Sequence, residues 1–176
     1  MKVVRLVETR VTQLELRSQP RLRVAAPDLG LSLQLVEAKQ IPVSFYAYLY
    51  DQVGRDHHWT SRLLPAARLA SEIHHPGIAV HVLYADGSPA GWFELDWARK
   101  PGETRLVHFG ILPEFRGRGL APYLLSEALA AGFAIGNRLM TLETNTLDHP
   151  RALQLYQEAG FIAVSMRVVS TRAIDG

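Results

Sequence analysis

The sequence predicts a mixed fold of the α+β class, in which a mostly antiparallel sheet contains one parallel pair of strands. Two apolar runs flank an Asp-Gly-Ser-Pro turn at residues 86–89, which is typical of an antiparallel hairpin. Further along, an apolar strand, a long helical pattern and a second strand follow one another, and this order makes the two strands parallel. The length of 176 residues fits a single domain, residues 1–176.

The first half of the chain predicts two strands, two helices and the hairpin. Alternation of apolar and polar residues indicates strands over residues 11–17 and 31–36, with a turn between them. Prolines stand where two helices begin, over residues 42–54 and 65–74, and an apolar stripe follows each of them. The strands of the hairpin are then expected over residues 78–84 and 90–97.

The second half predicts the parallel crossover, a last helix and a last strand. Residues 106–112 are almost all apolar, as expected of a strand that is buried on both faces. A helical stripe runs over residues 120–135, and a strand follows over residues 138–144. Pro150 opens the last helix, Gly160 closes it, and residues 162–169 indicate the last strand.

Composition argues against several classes of function. The chain has no cysteine, which excludes disulfides, thiolate metal sites and an acyl-cysteine intermediate. Its formal net charge is only +2 and its basic residues are scattered, so we expect no nucleic-acid partner. No run resembles a membrane span or a signal peptide, and no histidine spacing indicates a metal site. We therefore expect a cytoplasmic protein that binds neither a membrane nor a metal.

The loop before the long helix is suited to hold a pyrophosphate. It reads Glu-Phe-Arg-Gly-Arg-Gly-Leu-Ala over residues 114–121. Its glycines remove side chains that would keep phosphate oxygens away from the backbone, and its arginines can supply charge-assisted hydrogen bonds. The first turn of the helix adds unpaired N–H groups and the positive end of the helix dipole. The predicted anion-binding residues are Arg116, Gly117, Arg118, Gly119, Leu120 and Ala121.

This loop resembles the R/Q-x-x-G-x-G/A signature of the GNAT superfamily of acyl-CoA-dependent N-acyltransferases, through Arg116, Gly119 and Ala121. A second block, residues 148–161, is similar to the family's A-x-x-L-Y-x-x-x-G-F segment and lies at the family's usual distance. The resemblance implies the GNAT fold, with helices on both faces of the sheet and a bulge at Gly110 that splays the parallel strands. It also implies acetyl-CoA as the cosubstrate, without a metal. Packing of a helix against Gly110 is the alternative role for this glycine.

The resemblance further implies roles for residues around the cofactor. Tyr156 matches the family's tyrosine that protonates the sulfur of coenzyme A, and a phenol is a plausible acid for a thiolate. The pantetheine arm would pair with the exposed backbone of Ile111 and Leu112. His149 stands where many relatives carry an asparagine that contacts the cofactor, and capping of the last helix is its alternative role. Asn145 is the second candidate for that contact.

The base that accepts the amine proton is less well defined. The position that carries an acid in some relatives aligns with Arg105, which cannot act as a base at ordinary pH. Glu94, on the preceding predicted strand, is the first choice as the catalytic base. The other candidates are Glu103, Asp96 and His108, and an acceptor amine whose pKa is already low would need no base.

The acceptor site is expected from the segment that follows the first helix and from the hairpin that carries Glu94, where aromatic residues are dense. Most of these aromatic residues are expected to fill the core. They are Phe45, Tyr46, Tyr48, Tyr50, Trp59, Trp92, Phe93 and Trp97, and the acids that could attract a cationic amine are Asp51, Asp56, Glu94 and Asp96.

The predicted function is transfer of an acetyl group from acetyl-CoA to a primary amine of a small molecule or peptide, by direct attack in a ternary complex. A catalytically silent module that binds acyl-CoA as a sensor or regulator is the alternative. The sequence leaves the oligomeric state open, a homodimer included.

Overall fold

The computed structural model describes residues 4–174 and confirms the predicted mixed fold. Within these residues one sheet contains β1 (Leu6–Leu16), β2 (Leu33–Glu37), β3 (Ile78–Ala85), β4 (Ser88–Asp96), β5 (Glu103–Ile111), β6 (Leu139–Asn145) and β7 (Ile162–Arg172). The α-helices are α1 (Val43–Gly54), α2 (Ala66–Ile73), α3 (Leu120–Ala134) and α4 (Ala152–Glu158). Short 3₁₀ turns lie at Arg55–His57 and Pro113–Phe115. No helix in the described part of the chain combines the length and apolarity that a bilayer crossing needs.

The strand order in the sheet is β2-β3-β4-β5-β6-β1-β7. The pair formed by β5 and β6 is parallel, as predicted, and the other neighbouring pairs are antiparallel. Strand β1 lies between β6 and β7 and is longer than the predicted strand over residues 11–17. The first half of β1 escaped prediction because Leu6, Glu8 and Arg10 are exposed, so its apolar alternation is weak.

The parallel pair separates soon after it begins. Strand β5 pairs with β6 only over Glu103, Thr104 and Arg105, and the rest of β6 pairs with β1. The bulge in β5 is at Val107 and not at Gly110, because Glu94 is opposite His108 whereas Leu95 is opposite Leu106. A bulge bends the strand that carries it and increases its local twist. The sheet therefore opens between β5 and β6.

Gly110 has the alternative role, which is to let a helix approach. A Cβ at this position would lie 2.2 Å from Cγ1 of Val53 on α1, a distance that a side chain could not tolerate. Absence of the side chain thus brings α1 close to β5, at the edge of the opening in the sheet.

Helices cover both faces of the sheet, each with its own apolar cluster. Helices α3 and α4 pack on one face, where Leu106, Leu124 and Tyr156 belong to one buried cluster. Helices α1 and α2 pack on the other face, where Tyr46 and Trp92 belong to a second cluster. The gap between β5 and β6 connects the two faces of the sheet, so it is open to the helices and loops on both sides.

Candidate active site

A cavity of about 1100 Å³ occupies the gap between the separated strands. The loop before α3 forms one wall, the segment over residues 57–61 forms a second, and the segment over residues 145–149 forms a third. Phe109 and Tyr156 line it from the face that carries α3 and α4, whereas Val53 and His108 line it from the opposite face. The cleft therefore gives one bound molecule access to groups on both sides of the sheet.

The predicted anion loop lies at one end of this cleft. Gly117 and Gly119 have φ angles of +74° and +77°, in the left-handed region that favours glycine. Gly119 immediately precedes the first residue of α3, and no side chain caps this helix end. The N–H groups of the first turn are thus open to an anion, and the helix dipole favours one. Arg116, Gly117, Gly119, Leu120 and Ala121 line the cleft.

The two arginines of the loop have different positions. Nε of Arg116 donates to the carbonyl oxygen of Ile111 at 3.1 Å, and its Nη1 lies 3.5 Å from the exposed carboxylate of Asp56. Arg116 is therefore held at the cleft with a donor to spare. Arg118 instead stacks on Phe115, with its guanidinium carbon 5.3 Å from the ring centroid, and it does not line the cleft. Of the two arginines, Arg116 lines the cleft and Arg118 does not.

The backbone of Leu112 is already engaged, contrary to the prediction that it pairs with pantetheine. Its N–H donates to the carbonyl oxygen of Ala90 at 2.8 Å, and its own carbonyl accepts from Phe115 at 3.0 Å. Ile111 lines the cleft, but its carbonyl accepts from Arg116. The edge of β5 that has no strand partner toward β6 runs over residues 106–111. The free N–H and C=O groups of this edge could form hydrogen bonds with an extended ligand.

Tyr156, the predicted acid, is a buried residue of α4. Its ring packs between Phe109 and Phe161, with both centroid distances at 6.1 Å, and it lines the cleft. Burial, followed by the negative charge of Asp148, raises the pKa of this phenol. No group in residues 4–174 forms a hydrogen bond with its hydroxyl. Tyr156 thus carries its proton at physiological pH, and its hydroxyl has no hydrogen-bond acceptor in the described part of the chain.

Asn145 and His149 both line the cleft, and both also stabilise the turn before α4. The side-chain oxygen of Asn145 accepts from the N–H of Leu147 at 2.8 Å, and Nδ1 of His149 accepts from the N–H of Arg151 at 3.2 Å. The alternative role of His149 as a cap is therefore present in the structure. The amide nitrogen of Asn145 and Nε2 of His149 have no partner among the described residues and can donate to a ligand.

Glu94, the first choice as base, is fully buried on β4. Its carboxylate accepts from the hydroxyl of Tyr46, from Nη2 of Arg62 at 2.6 Å and from Nδ1 of His108 at 3.1 Å. Burial alone would raise the pKa of Glu94, but the charge that His108 carries when protonated and its hydrogen bond, together with Arg62 and Tyr46, lower this pKa to about 2. Glu94 does not line the cleft, whereas His108 does.

His108 lies between Glu94 and the cleft. It is buried, its ring lies 5.0 Å from that of Trp59 and 5.7 Å from that of Trp92, and its Nε2 is 3.3 Å from the hydroxyl of Ser61. Because an ionised Glu94 can only accept hydrogen bonds, Nδ1 of a neutral His108 carries the proton. The lone pair of Nε2 then points to the serine hydroxyl. This is the arrangement of a general base that a carboxylate orients.

The segment over residues 57–61, which forms the second wall of the cleft, contacts the turn before α4. Nε1 of Trp59 donates to Asp148 at 3.2 Å, and Nδ1 of His57 lies 2.9 Å from the carbonyl oxygen of Leu147. Both contacts bridge to the turn before α4. Gly54 allows this arrangement, because a Cβ there would lie 2.5 Å from the ring of Trp59. Ser61 and Arg62 could not be predicted from the sequence, since a polar loop residue carries no local signal of its long-range partner.

The other acids and aromatic residues of the sequence analysis have structural surroundings. Asp96 accepts from the N–H groups of Ala98 and Arg99, Asp51 pairs with Arg55, and the hydroxyl of Thr141 donates to Glu103. Tyr46, Trp92 and Phe93 are fully buried, as expected of core residues, whereas Tyr48 is exposed. Trp59 is the member of the predicted aromatic set that lines the cleft. Residues 4–174 contain no group of side chains arranged to hold a metal ion.

Comparisons with known proteins agree with this architecture. The profile described as the acetyltransferase (GNAT) family matches residues 41–161, which is more than half of the chain. The spermidine N(1)-acetyltransferase of Vibrio cholerae is 30% identical over 69 residues, which cover 39% of this chain and 38% of the relative.

Two solved structures show the same fold at low identity. A GCN5-related N-acetyltransferase from Sphaerobacter thermophilus has a TM-score of 0.63 and 16% identity, over 96% of this chain and 53% of that protein. The aminoglycoside N-acetyltransferase AAC(6')-Iy, solved in complex with CoA, has a TM-score of 0.58 and 21% identity, over 81% of this chain and 95% of its own. The chain thus spans less than two thirds of the Vibrio and Sphaerobacter proteins.

Proposed function

Because the chain belongs to the acetyltransferase (GNAT) family, we propose that it transfers the acetyl group of acetyl-CoA to a primary amine by direct attack in a ternary complex. The observation that carries this proposal is the cleft between β5 and β6, with an uncapped helix N-terminus at one end and an oriented histidine in its wall. These are the two things that the reaction needs, a site for a diphosphate and a site for a base.

The cofactor would bind along the face that carries α3 and α4. Its pyrophosphate would accept hydrogen bonds from the backbone around Gly117 and Gly119 and from Arg116. Its pantetheine arm would follow the free edge of β5, and Asn145 or His149 would donate to it from the opposite wall. The thioester would then lie in the gap, where the acceptor can reach it from the other face.

The acceptor amine would enter beside Trp59 and His108. Nε2 of His108 would take the proton from the amine, and Glu94 would hold the ring in the required tautomer and stabilise the imidazolium that forms. Glu94 is thus assigned to position the base, and His108 takes the role of the base itself. The hydroxyl of Tyr156 would give its proton to the sulfur as the thiolate leaves.

The acceptor class is a small-molecule amine in this proposal. The Vibrio relative is named for spermidine, and the structural neighbour with CoA is named for aminoglycosides. Both are polyamines, so spermidine, an aminoglycoside and a lysine-containing peptide form a suitable first panel of acceptors.

The test compares the two arginines of the anion loop. Arg116→Ala should weaken CoA binding about 10- to 100-fold, because a charge-assisted hydrogen bond contributes about 1.5–3 kcal/mol. Arg118→Ala is the matched control, because the guanidinium of Arg118 stacks on Phe115 and does not line the cleft. This variant should bind CoA as the unaltered protein does. Calorimetric titration with CoA measures both.

Turnover of acetyl-CoA with the amine panel tests the chemistry. Formation of an acetylated amine supports the enzyme, whereas tight CoA binding with no turnover on any amine would favour the silent binding module. Equal loss of affinity in the two arginine variants would contradict the assigned position of the diphosphate.

A further inference from the structure

Ser61 belongs to a chain of hydrogen bonds that leads from the cleft into the protein interior. Ser61 is an exposed residue whose hydroxyl lies 3.3 Å from Nε2 of His108, and Nδ1 of His108 lies 3.1 Å from Glu94. Tyr46 and Arg62 also donate hydrogen bonds to the carboxylate of Glu94. Ser61 lies in a loop, His108 on β5 and Glu94 on β4. Ser61 and His108 both line the cleft.

The hydroxyl of Tyr50 gives this chain a direction. It accepts the N–H of Arg62 at 3.2 Å, and it lies 3.4 Å from the oxygen of Ser61. Burial raises the pKa of Tyr50, so this phenol keeps its proton and can donate it to Ser61. The hydroxyl of Ser61 then donates in turn to the lone pair of Nε2 on His108.

We propose that Ser61, His108 and Glu94 act as a nucleophilic triad that takes the acyl group from acyl-CoA and releases it to water when no amine is bound. This second activity, acyl-CoA hydrolysis through an acyl-serine, rests on the proposed function only in that acyl-CoA occupies the same cleft. A serine within hydrogen-bond reach of a base, which a third group orients, is the diagnostic geometry of an activated nucleophile.

Two further features support a nucleophile over a structural hydroxyl. The hydroxyl of Ser61 bonds to no backbone group in the described residues, so it caps no turn or helix. The backbone N–H of Ser61 also lacks an acceptor among residues 4–174, so it is available to stabilise an oxyanion that forms beside it. Thr60, the preceding residue, also lines the cleft, but its hydroxyl has no bond to an imidazole.

The reaction balances without any other reactant than water. The oxygen of Ser61 attacks the thioester carbon while its proton passes to Nε2 of His108. The C–S bond breaks, the sulfur takes that proton, and CoA leaves as a thiol. Water then attacks the serine ester with His108 as base, the ester C–O bond breaks, and the serine recovers its proton as the carboxylic acid leaves.

The experiment incubates the full chain with acetyl-CoA and no amine. Release of the CoA thiol is followed with a thiol reagent, and acid-quenched samples are analysed by intact-mass and peptide mass spectrometry. We expect steady thiol release and one acetyl group on Ser61. Ser61→Ala should remove the acetyl group and lower the release about 100-fold or more, whereas Ser71→Ala should retain both. Ser71 is the matched control, because it is an exposed serine of α2 that does not line the cleft.

The outcomes separate this inference from the proposed function. If the protein acetylates an amine but shows neither acetyl-Ser61 nor a release of CoA that depends on Ser61, the nucleophilic triad is overturned and the amine transferase stands. Release that persists in Ser61→Ala would likewise overturn it, because water or another group would then be the nucleophile. If CoA does not bind at all, both proposals fall.

Discussion

Replacing Glu94 by glutamine should cost the protein both stability and activity. The glutamine amide keeps the size of the side chain but removes the charge that Arg62 and His108 face in the interior. Lowering the pKa of Glu94 from its ordinary value to about 2 corresponds to about 3 kcal/mol of folding free energy at neutral pH. Removal of one partner from a buried ion pair typically costs 3–5 kcal/mol, so the two figures agree at about 3 kcal/mol.

The loss has a defined dependence on pH. The pKa of Glu94 is lower in the folded state than in the unfolded chain, so its contribution is complete above the unfolded pKa and is lost as pH falls towards about 2. The unaltered protein and Glu94→Gln should therefore differ most near neutral pH, and the difference should shrink as the pH falls below about 4.

Urea unfolding at a series of pH values measures this difference. Asp51→Asn is the matched control, because Asp51 pairs with Arg55 on the exposed side of α1 and should change stability by less than about 1 kcal/mol. A Glu94→Gln variant as stable as the unaltered protein at pH 7 would refute the account of a buried, ionised Glu94. So would a difference that stays constant from pH 7 down to pH 3.

Three further changes test the site and its frame. Tyr156→Phe should lower kcat about 100-fold through loss of the proton donor while calorimetry shows unchanged CoA affinity, and unchanged turnover would remove Tyr156 from the mechanism. Gly54→Ala should destabilise the protein by about 1–3 kcal/mol in urea unfolding, because its Cβ would meet the ring of Trp59, and a neutral effect would contradict that contact. Gly110→Ala should cost a similar amount, and most of this loss should disappear in a Val53→Ala background; additive losses in the double-mutant cycle would disprove the clash.

The order of elements and the backbone conformation of the loop before α3 were predictable because their signals are local. A glycine with positive φ, followed at once by the first turn of a helix, is specified by a few consecutive residues. The parallel pairing of β5 and β6 also follows from chain order, since a crossover of this type has one handedness. The positions of Arg118 and Leu112 were not predictable. The guanidinium of Arg118 stacks on the ring of Phe115, and the N–H of Leu112 donates to Ala90 on the neighbouring strand.

The bulge was misplaced because a strand glycine has more than one cause. The pattern around Gly110 is compatible with a bulge and with close helix packing, and only the contact with Val53 distinguishes them. The actual bulge at Val107 has no sequence mark, since valine is an ordinary strand residue.

What the sequence by itself determined is the loop before α3 that lines the cleft, whose geometry arises within one loop and one helical turn. What only the tertiary structure decided is the cluster of Glu94, His108 and Ser61. Glu94 and His108 are 14 residues apart and meet through the register of two strands, and Ser61 reaches His108 across 47 residues of chain. Burial and strand register keep Glu94 ionised and leave Nε2 of His108 without a proton. Both properties depend on contacts that form only when the sheet and the loop over it have assembled.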